Sequence, residues 1–256
     1  MPNWVRNKIT IRGKNPHVII DEITSTNEYE GKHLDFNKII PMPETIRDVI
    51  AGDITEHCIS LFLESIKKTP DFKKYITITI LNKKNYVGLT EEEYKKLMKE
   101  CLEYTYWEDS TRKFKTENDV LKYGKQVLDN LIEYGCQDWY DWSVKNWGTK
   151  WNSCNNSMNN DSICFETAWS PVPDLILQLS KMYPENTFEY EFAEEQIGYY
   201  AGKYTFENGQ VLYETIFEEY SKEMYEKCFE LWPEVKKYFK FNKKKNTYVY
   251  VDNAME

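Results

Sequence analysis

Three groups of side chains in this sequence have types and spacings that suit chemistry. The first is aromatic. Trp139, Tyr140, Trp142, Trp147 and Trp151 fall close together and hold half of the chain's 8 tryptophans. Such rings stack on bases or seat in a partner's pockets, and they equally suit packing an insertion against a sheet. The second group is acidic. Glu189 and Glu191 share one face of an alternating segment, Glu194 and Glu195 follow, and Lys203 is the single basic residue in 185–207. Paired carboxylates bind metals or do acid–base work. No histidine lies near these in sequence and their spacing matches no metal loop, so they read as a solvated acidic face open to a basic partner surface. The third group is basic. Lys236, Lys237, Lys240, Lys243, Lys244 and Lys245 interleave with Tyr238, Phe239 and Phe241. They suit contact with phosphate, or simply end a helix.

Nucleophilic catalysis has little to build on. The histidines are His17, His33 and His57, all in the first quarter of the chain. His57 and Cys58 are adjacent, and neighbours on a helix point about 100° apart. No P-loop, G-x-G-x-x-G or G-x-S-x-G motif occurs, and Glu166 alone identifies no reaction. The expectation is a chain without catalytic residues, metal or cofactor, with a carboxylate-dependent enzyme as a minor alternative.

The elements that must position these residues read as follows. The 256 residues are 41% apolar with a net charge of -9, enough for a packed core. The charge argues against a general nucleic-acid binder and suits a basic partner or mimicry of nucleic acid. No stretch has signal-peptide or membrane-spanning character. Cys58, Cys101, Cys136, Cys154, Cys164 and Cys228 form no C-x-x-C pair, which points to free thiols in a reducing cytoplasm. Alternation predicts a strand over 4–12, and Asn15-Pro16 predicts a helix start running to about 27. Residues 44–134 read as mostly helical, with a capping box at Thr90–Glu93 and a candidate strand at 75–81. Strands follow at 149–154, 162–169, 187–194 and 198–206, with a loop over 152–161 and a helix at 174–183. Asn208-Gly209 marks a hairpin. A charged helix over 214–238, interrupted near Pro233, and a strand over 247–251 close the chain.

Several blocks carry a family resemblance: Pro2-Asn3-Trp4, Phe36-Asn37 with Ile40-Pro41-Met42-Pro43, Trp147-Gly148-Thr149-Lys150-Trp151-Asn152, Phe165 through Pro173, and Gly198-Tyr199-Tyr200-Ala201-Gly202. In this order they resemble the YubB-like (Api92-like) family, over roughly residues 1–43 and 136–207. The resemblance implies an α+β chain: a ferredoxin-like antiparallel sheet in βαββαβ order. The expected division is a core of 1–43 and 136–210, a helical insertion of 44–135, and a C-terminal helix and tail of 211–256. It also implies a phage- or plasmid-borne accessory protein with no settled activity. Charge and resemblance together favour binding to a host protein or nucleoprotein complex, as in an anti-CRISPR inhibitor. Single-stranded nucleic-acid or nucleotide binding through the tryptophans and lysines is the alternative.

Overall fold

The computed structural model describes residues 3–28, 31–81, 88–105 and 111–251. Pro2, parts of the expected insertion (82–87 and 106–110) and the end of the expected tail (252–256) lie outside the described residues. The chain divides into two compact units, Met1–Pro41 with Ser143–Glu256, and Met42–Trp142.

The first unit opens with β1 (Trp4–Arg12), α1 (Pro16–Glu22), β2 (Thr24–Asn27) and β3 (Gly31–Leu34). The helix expected to reach residue 27 stops at Glu22, and Thr24–Asn27 pairs with Gly31–Leu34 in an antiparallel ribbon. Thr, Ser and Asn compete with helical backbone through their own side chains, which favours ending the helix there. Asn15 caps nothing with its side chain; it occupies the left-handed region at φ 49.

The second unit holds α2 (Glu44–Arg47), α3 (Asp53–Ile66), α4 (Phe72–Leu81), α5 (Glu91–Glu103), α6 (Glu117–Tyr134) and the start of α7 (Trp139–Trp147), whose residues from Ser143 onward belong to the first unit. Thr90 and Thr116 both open helices with capping boxes. The expected strand at 75–81 is helix α4. Its Thr77 and Thr79 hydroxyls donate to the carbonyls of Lys73 (2.7 Å) and Tyr75 (2.9 Å), one turn back, so the β-branched residues are satisfied inside a helix. Tyr75 packs edge-on to Phe62 of α3 and donates to Asp129 of α6. Tertiary packing here overrides local β preference. Around it lies a core of Ile59, Phe62, Leu63, Val127, Leu128 and Leu131.

The chain then returns to the first unit with β4 (Cys154–Met158), β5 (Ser162–Ala168), α8 (Pro173–Met182), β6 (Thr187–Glu194), β7 (Ala201–Glu207), β8 (Gln210–Ile216), α9 (Lys222–Leu231), β9 (Phe239–Asn242) and β10 (Thr247–Tyr250). Six strands form one antiparallel sheet in the order β4-β5-β1-β6-β7-β8. Its first four strands reproduce the ferredoxin-like arrangement, with the first and last strands of the βαββαβ unit side by side at the centre. The Asn- and Ser-rich segment read as a loop is in fact β4. It is an edge strand with a register shift between Cys154 and Ser157 and Asn155 at φ 50, and a polar edge needs no apolar alternation. The expected helix from 214 and tail from 211 are corrected too. Residues 210–216 pair as β8 across the Asn208-Gly209 turn, α9 starts only at Lys222, and a 3-10 turn at Pro233–Tyr238 leads to the β9–β10 hairpin.

One sheet face buries Val5, Ile9, Ile11, Phe165, Phe188, Tyr190, Phe192 and Phe206 with Leu175, Ile176 and Leu179 of α8. Ala193 and Ala201 pack on the other face, where Met224, Cys228, Leu231 and Trp232 of α9 and its end cover them.

Candidate functional site

Within the first unit, Trp4, Phe36, Trp147, Trp151, Phe165, Trp169 and Tyr200, far apart in the chain, come together around one end of the sheet. Three fully buried polar residues fix that end. Asn7 of β1 donates to the Thr167 hydroxyl (2.9 Å), and the Tyr190 hydroxyl donates to Asn7 Oδ1 (2.6 Å). Each then holds the loop after β5: Thr167 donates to the Ser170 carbonyl (2.7 Å), and the Val172 amide donates to the Tyr190 oxygen (2.8 Å). Burial pushes the Tyr190 phenol well above its ordinary pKa, so it stays a neutral donor and acceptor. A satisfied buried network of this kind specifies one geometry.

That loop carries Trp169, whose amide donates to the Asn3 carbonyl at 2.8 Å. Trp169 has φ 69 and is 46% exposed. A bulky side chain in the left-handed region is rare and strained. Its ring stacks on Trp151 at 6.3 Å and 27°, and Trp151 in turn lies 6.3 Å from Trp4. The Lys150 ammonium sits 4.5 Å from the Trp151 ring centre and 5.2 Å from that of Trp169, within cation–π range. Beside Trp169 opens a cavity of about 290 Å³, lined among others by Gly148, Pro171, Asp174 and Tyr200.

The segment 147–152 is oriented from beneath. Trp147 is buried, donates from Nε1 to the Ile40 carbonyl (2.9 Å) and packs edge-on to Phe36. Gly148 supplies φ 80 and turns the chain out of α7; it makes no close backbone approach, its hypothetical Cβ meeting only a Pro171 carbonyl at 3.8 Å. Asn152 accepts from the Phe36 amide and donates to Asp35. The arrangement can offer an aromatic face and a cation to a flat, negatively charged ligand.

The five expected aromatic residues do not act as one cluster. In the second unit Trp142 is buried, and Trp139 is half-buried edge-on to the exposed Tyr140. In the first unit Trp147 is core and Trp151 is surface. Trp4, Lys150, Trp169 and Tyr200 were missed as site residues, although each lies in a block that carries the family resemblance.

The carboxylates of β6 are spent on neighbouring cations. Glu189 pairs with Arg12 (3.1 Å), which also holds Asp161. Glu191 takes Lys227 of α9 and has Lys8 at 4.0 Å. Burial works against the charge on Lys227, but Glu191 and Glu230 outweigh it and its pKa lies above the ordinary lysine value. Glu194 accepts from Asn3, and Glu195 is exposed. Glu166 is buried under a two-nitrogen grip from Arg6 (3.1 and 2.9 Å) and accepts from Asn155 (2.6 Å), while Arg6 also stacks over Trp232. Among the described residues no group of three His, Cys, Asp or Glu is arranged to hold a metal, and no helix is long and apolar enough to cross a membrane. Lys236, Lys237, Lys240, Lys243, Lys244 and Lys245 are all exposed.

Comparison with known proteins returns three findings. No curated protein sequence matches the chain. The crystal structure of a protein api92 from Yersinia pseudotuberculosis aligns over 85% of this chain and 99% of its own, at 12% identity and a TM-score of 0.40. Residues 146–233 match the family model described as the ferredoxin-like domain in Api92-like protein. The matched segment runs from the end of α7 through α9 and carries Lys150, Trp151, Trp169 and Tyr200. By that match, residues 146–233 are similar to the ferredoxin-like domains found in Api92-like proteins.

Proposed function

We propose that this chain acts by binding, and that Trp4, Trp151 and Trp169 with Lys150 form the surface that binds. The ligand class that fits is an unpaired nucleotide, its base on the exposed face of Trp169 and its phosphate towards the Lys150 ammonium. One observation carries this reading: Trp169 is strained and yet 46% exposed. A tryptophan in that state adds little to the core, so the strain finds its reason in a ligand rather than in packing. The test is a titration of intrinsic tryptophan fluorescence with a single-stranded oligonucleotide. The native chain is quenched, and Trp169→Ala weakens binding by about 1–3 kcal/mol. Equal affinity in the two proteins sinks the reading.

A second reading is a mobile-element accessory protein that occupies a basic face of a host-defence complex, as an anti-CRISPR inhibitor does. The net charge of -9 favours it. Against it, Glu189 and Glu191 are already neutralised by Arg12 and Lys227. A stoichiometric, nuclease-resistant host protein in a pull-down would favour this second reading over the first.

A further inference from the structure

The acidic chain carries one basic arm late in its sequence. Residues 235–251 contain six lysines and no acidic residue, so this segment contributes +6 to a total of -9 and leaves -15 on the rest. Among the described residues, Lys236, Lys240, Lys243, Lys244 and Lys245 have no carboxylate within ion-pair distance, whereas Lys8, Lys14, Lys32 and Lys227 of the same unit do. The arm gathers such lysines in one short segment, where elsewhere in this unit Lys38, Lys181 and Lys203, likewise without a carboxylate partner among the described residues, are scattered.

The arm is built rather than frayed. Asn242 Oδ1 accepts from the amides of Lys244 (3.0 Å) and Lys245 (3.2 Å), and Asn246 takes φ 51, which closes the three-lysine tip between β9 and β10. Phe239 and Tyr248 pack on Tyr225 and Phe229 of α9 and anchor the hairpin. Other rings stay outside. Tyr250, 64% exposed, stacks on Tyr238 at 6.3 Å, and Phe241 is 39% exposed.

A chain of contacts joins this arm to the tryptophan platform. The Thr247 hydroxyl donates to the Tyr220 carbonyl, and the Tyr220 amide donates to Gly198 at 2.8 Å. The rings of Tyr220 and Tyr199 meet edge-on at 6.2 Å, both exposed. Tyr200, the next residue, lines the cavity beside Trp169. Tyr220 is the second surface aromatic residue held in the left-handed region, at φ 58.

We infer that the β9–β10 hairpin is a phosphate-binding arm for single-stranded nucleic acid. The strand stacks a base at Trp169, passes Tyr200, Tyr199 and Tyr220, and ends on the lysine tip. The inference rests on the platform reading for its first contact and adds the course and length of the ligand. Exposed rings leading from platform to lysines suit successive bases with a backbone beside them. Lysines and aromatic rings also suit an anionic lipid surface, and the test separates the two.

The experiment measures binding of fluorescein-labelled oligothymidylates of about 5 and about 20 nucleotides across a salt series, lengths that bracket the site size of one small domain. It compares the native chain, Trp169→Ala, and a variant with Lys240→Gln, Lys243→Gln, Lys244→Gln and Lys245→Gln. All four lysines are exposed, and circular dichroism checks that the variant keeps its fold. The expected result is that the longer strand binds the native chain more tightly. The lysine variant erases that advantage and flattens the log–log salt slope by about 3, at about 0.7 per lost phosphate contact. Thymidine monophosphate meanwhile quenches the lysine variant as it does the native chain. If the lysine variant keeps native affinity and slope while Trp169→Ala loses binding, the arm is overturned and the platform survives. If Trp169→Ala binds normally while the lysine variant does not, the platform fails and the phosphate arm stands. Binding to phosphatidylserine vesicles through the four lysines, without oligonucleotide binding, overturns the inference in favour of a lipid surface.

Discussion

Trp169 and Trp147 sit close in sequence to similar turns, yet their side chains do opposite work. Trp147 is 5% exposed, with its indole nitrogen bonded to Ile40 and its ring against Phe36. Trp147→Ala therefore costs about 3–5 kcal/mol, as burial of a large ring implies, read as a drop in denaturation midpoint of the first unit. Trp169 differs. The left-handed backbone costs a bulky residue about 1–2 kcal/mol, and the stack on Trp151 returns about 0.5–1.5 kcal/mol. Trp169→Gly relieves the first and loses the second, so its midpoint stays within about 1 kcal/mol of native by these magnitudes while binding is lost. A large destabilisation by Trp169→Gly would mean the residue is structural. Nothing in the string Ala168-Trp169-Ser170 announces a left-handed backbone, because the cause lies in Asn3, Asn7 and Tyr190. The cluster 139–151 misled for a related reason: adjacency along the chain hides that α7 turns successive rings to different surroundings.

At the scale of elements, alternation and caps were legible wherever one face is plainly buried. β1, β5 and β6, the helix after Pro173 and the capping box at Thr90 all read directly from the residues. The misreadings fall where an element's reason is tertiary: α4 against α6, polar β4 at an edge, and β8, whose Val211, Leu212 and Tyr213 stay exposed. Gly124 in α6 lies against α3, where an added Cβ would come 2.1 Å from the Cys58 carbonyl oxygen. Helix propensity alone favours Gly124→Ala by about 1 kcal/mol. Overpacking on backbone costs about 1–3 kcal/mol or more, so thermal melting of this variant falls below native. Asp35 ties β2 to the segment before β4. Burial raises its pKa, but hydrogen bonds from Ser25, Asn152 and Asn37 outweigh that and hold it below the ordinary carboxylate value. A depressed native pKa gives stability that is full above the unfolded value of about 4 and is lost as pH falls through the lower native value. Acid titration of the melting temperature accordingly shows a shallower decline below about pH 4 in Asp35→Asn than in the native chain. Identical declines would mean that the Ser25 and Asn152 bonds carry no linkage.

For the whole molecule, net charge proved a poor guide to surfaces. A total of -9 suggested an acidic face, whereas the β6 carboxylates lie under arginine and lysine, and six exposed lysines collect within residues 235–251. The division into two units bears on something else, the order in which the chain folds. β1 lies between β5 and β6, and its partners stand about 160 and 183 positions downstream, as in Arg6 with Glu166 and Asn7 with Tyr190. The helices of the second unit meet over much shorter separations, Tyr75 with Asp129 over 54. Loop-closure entropy favours the nearer contacts, and helical contacts form fastest. During synthesis the first strand therefore leaves the ribosome long before either neighbour exists, while the intervening helices already have theirs. Pulse-labelled hydrogen exchange during refolding should find amides of α3 and α6 protected before those of β1. Simultaneous protection would mean that the two units fold as one cooperative body. A centre strand that waits so long is exposed to foreign strands in the meantime, which makes β1 rather than the exposed β8 the point where misassembly during production would begin.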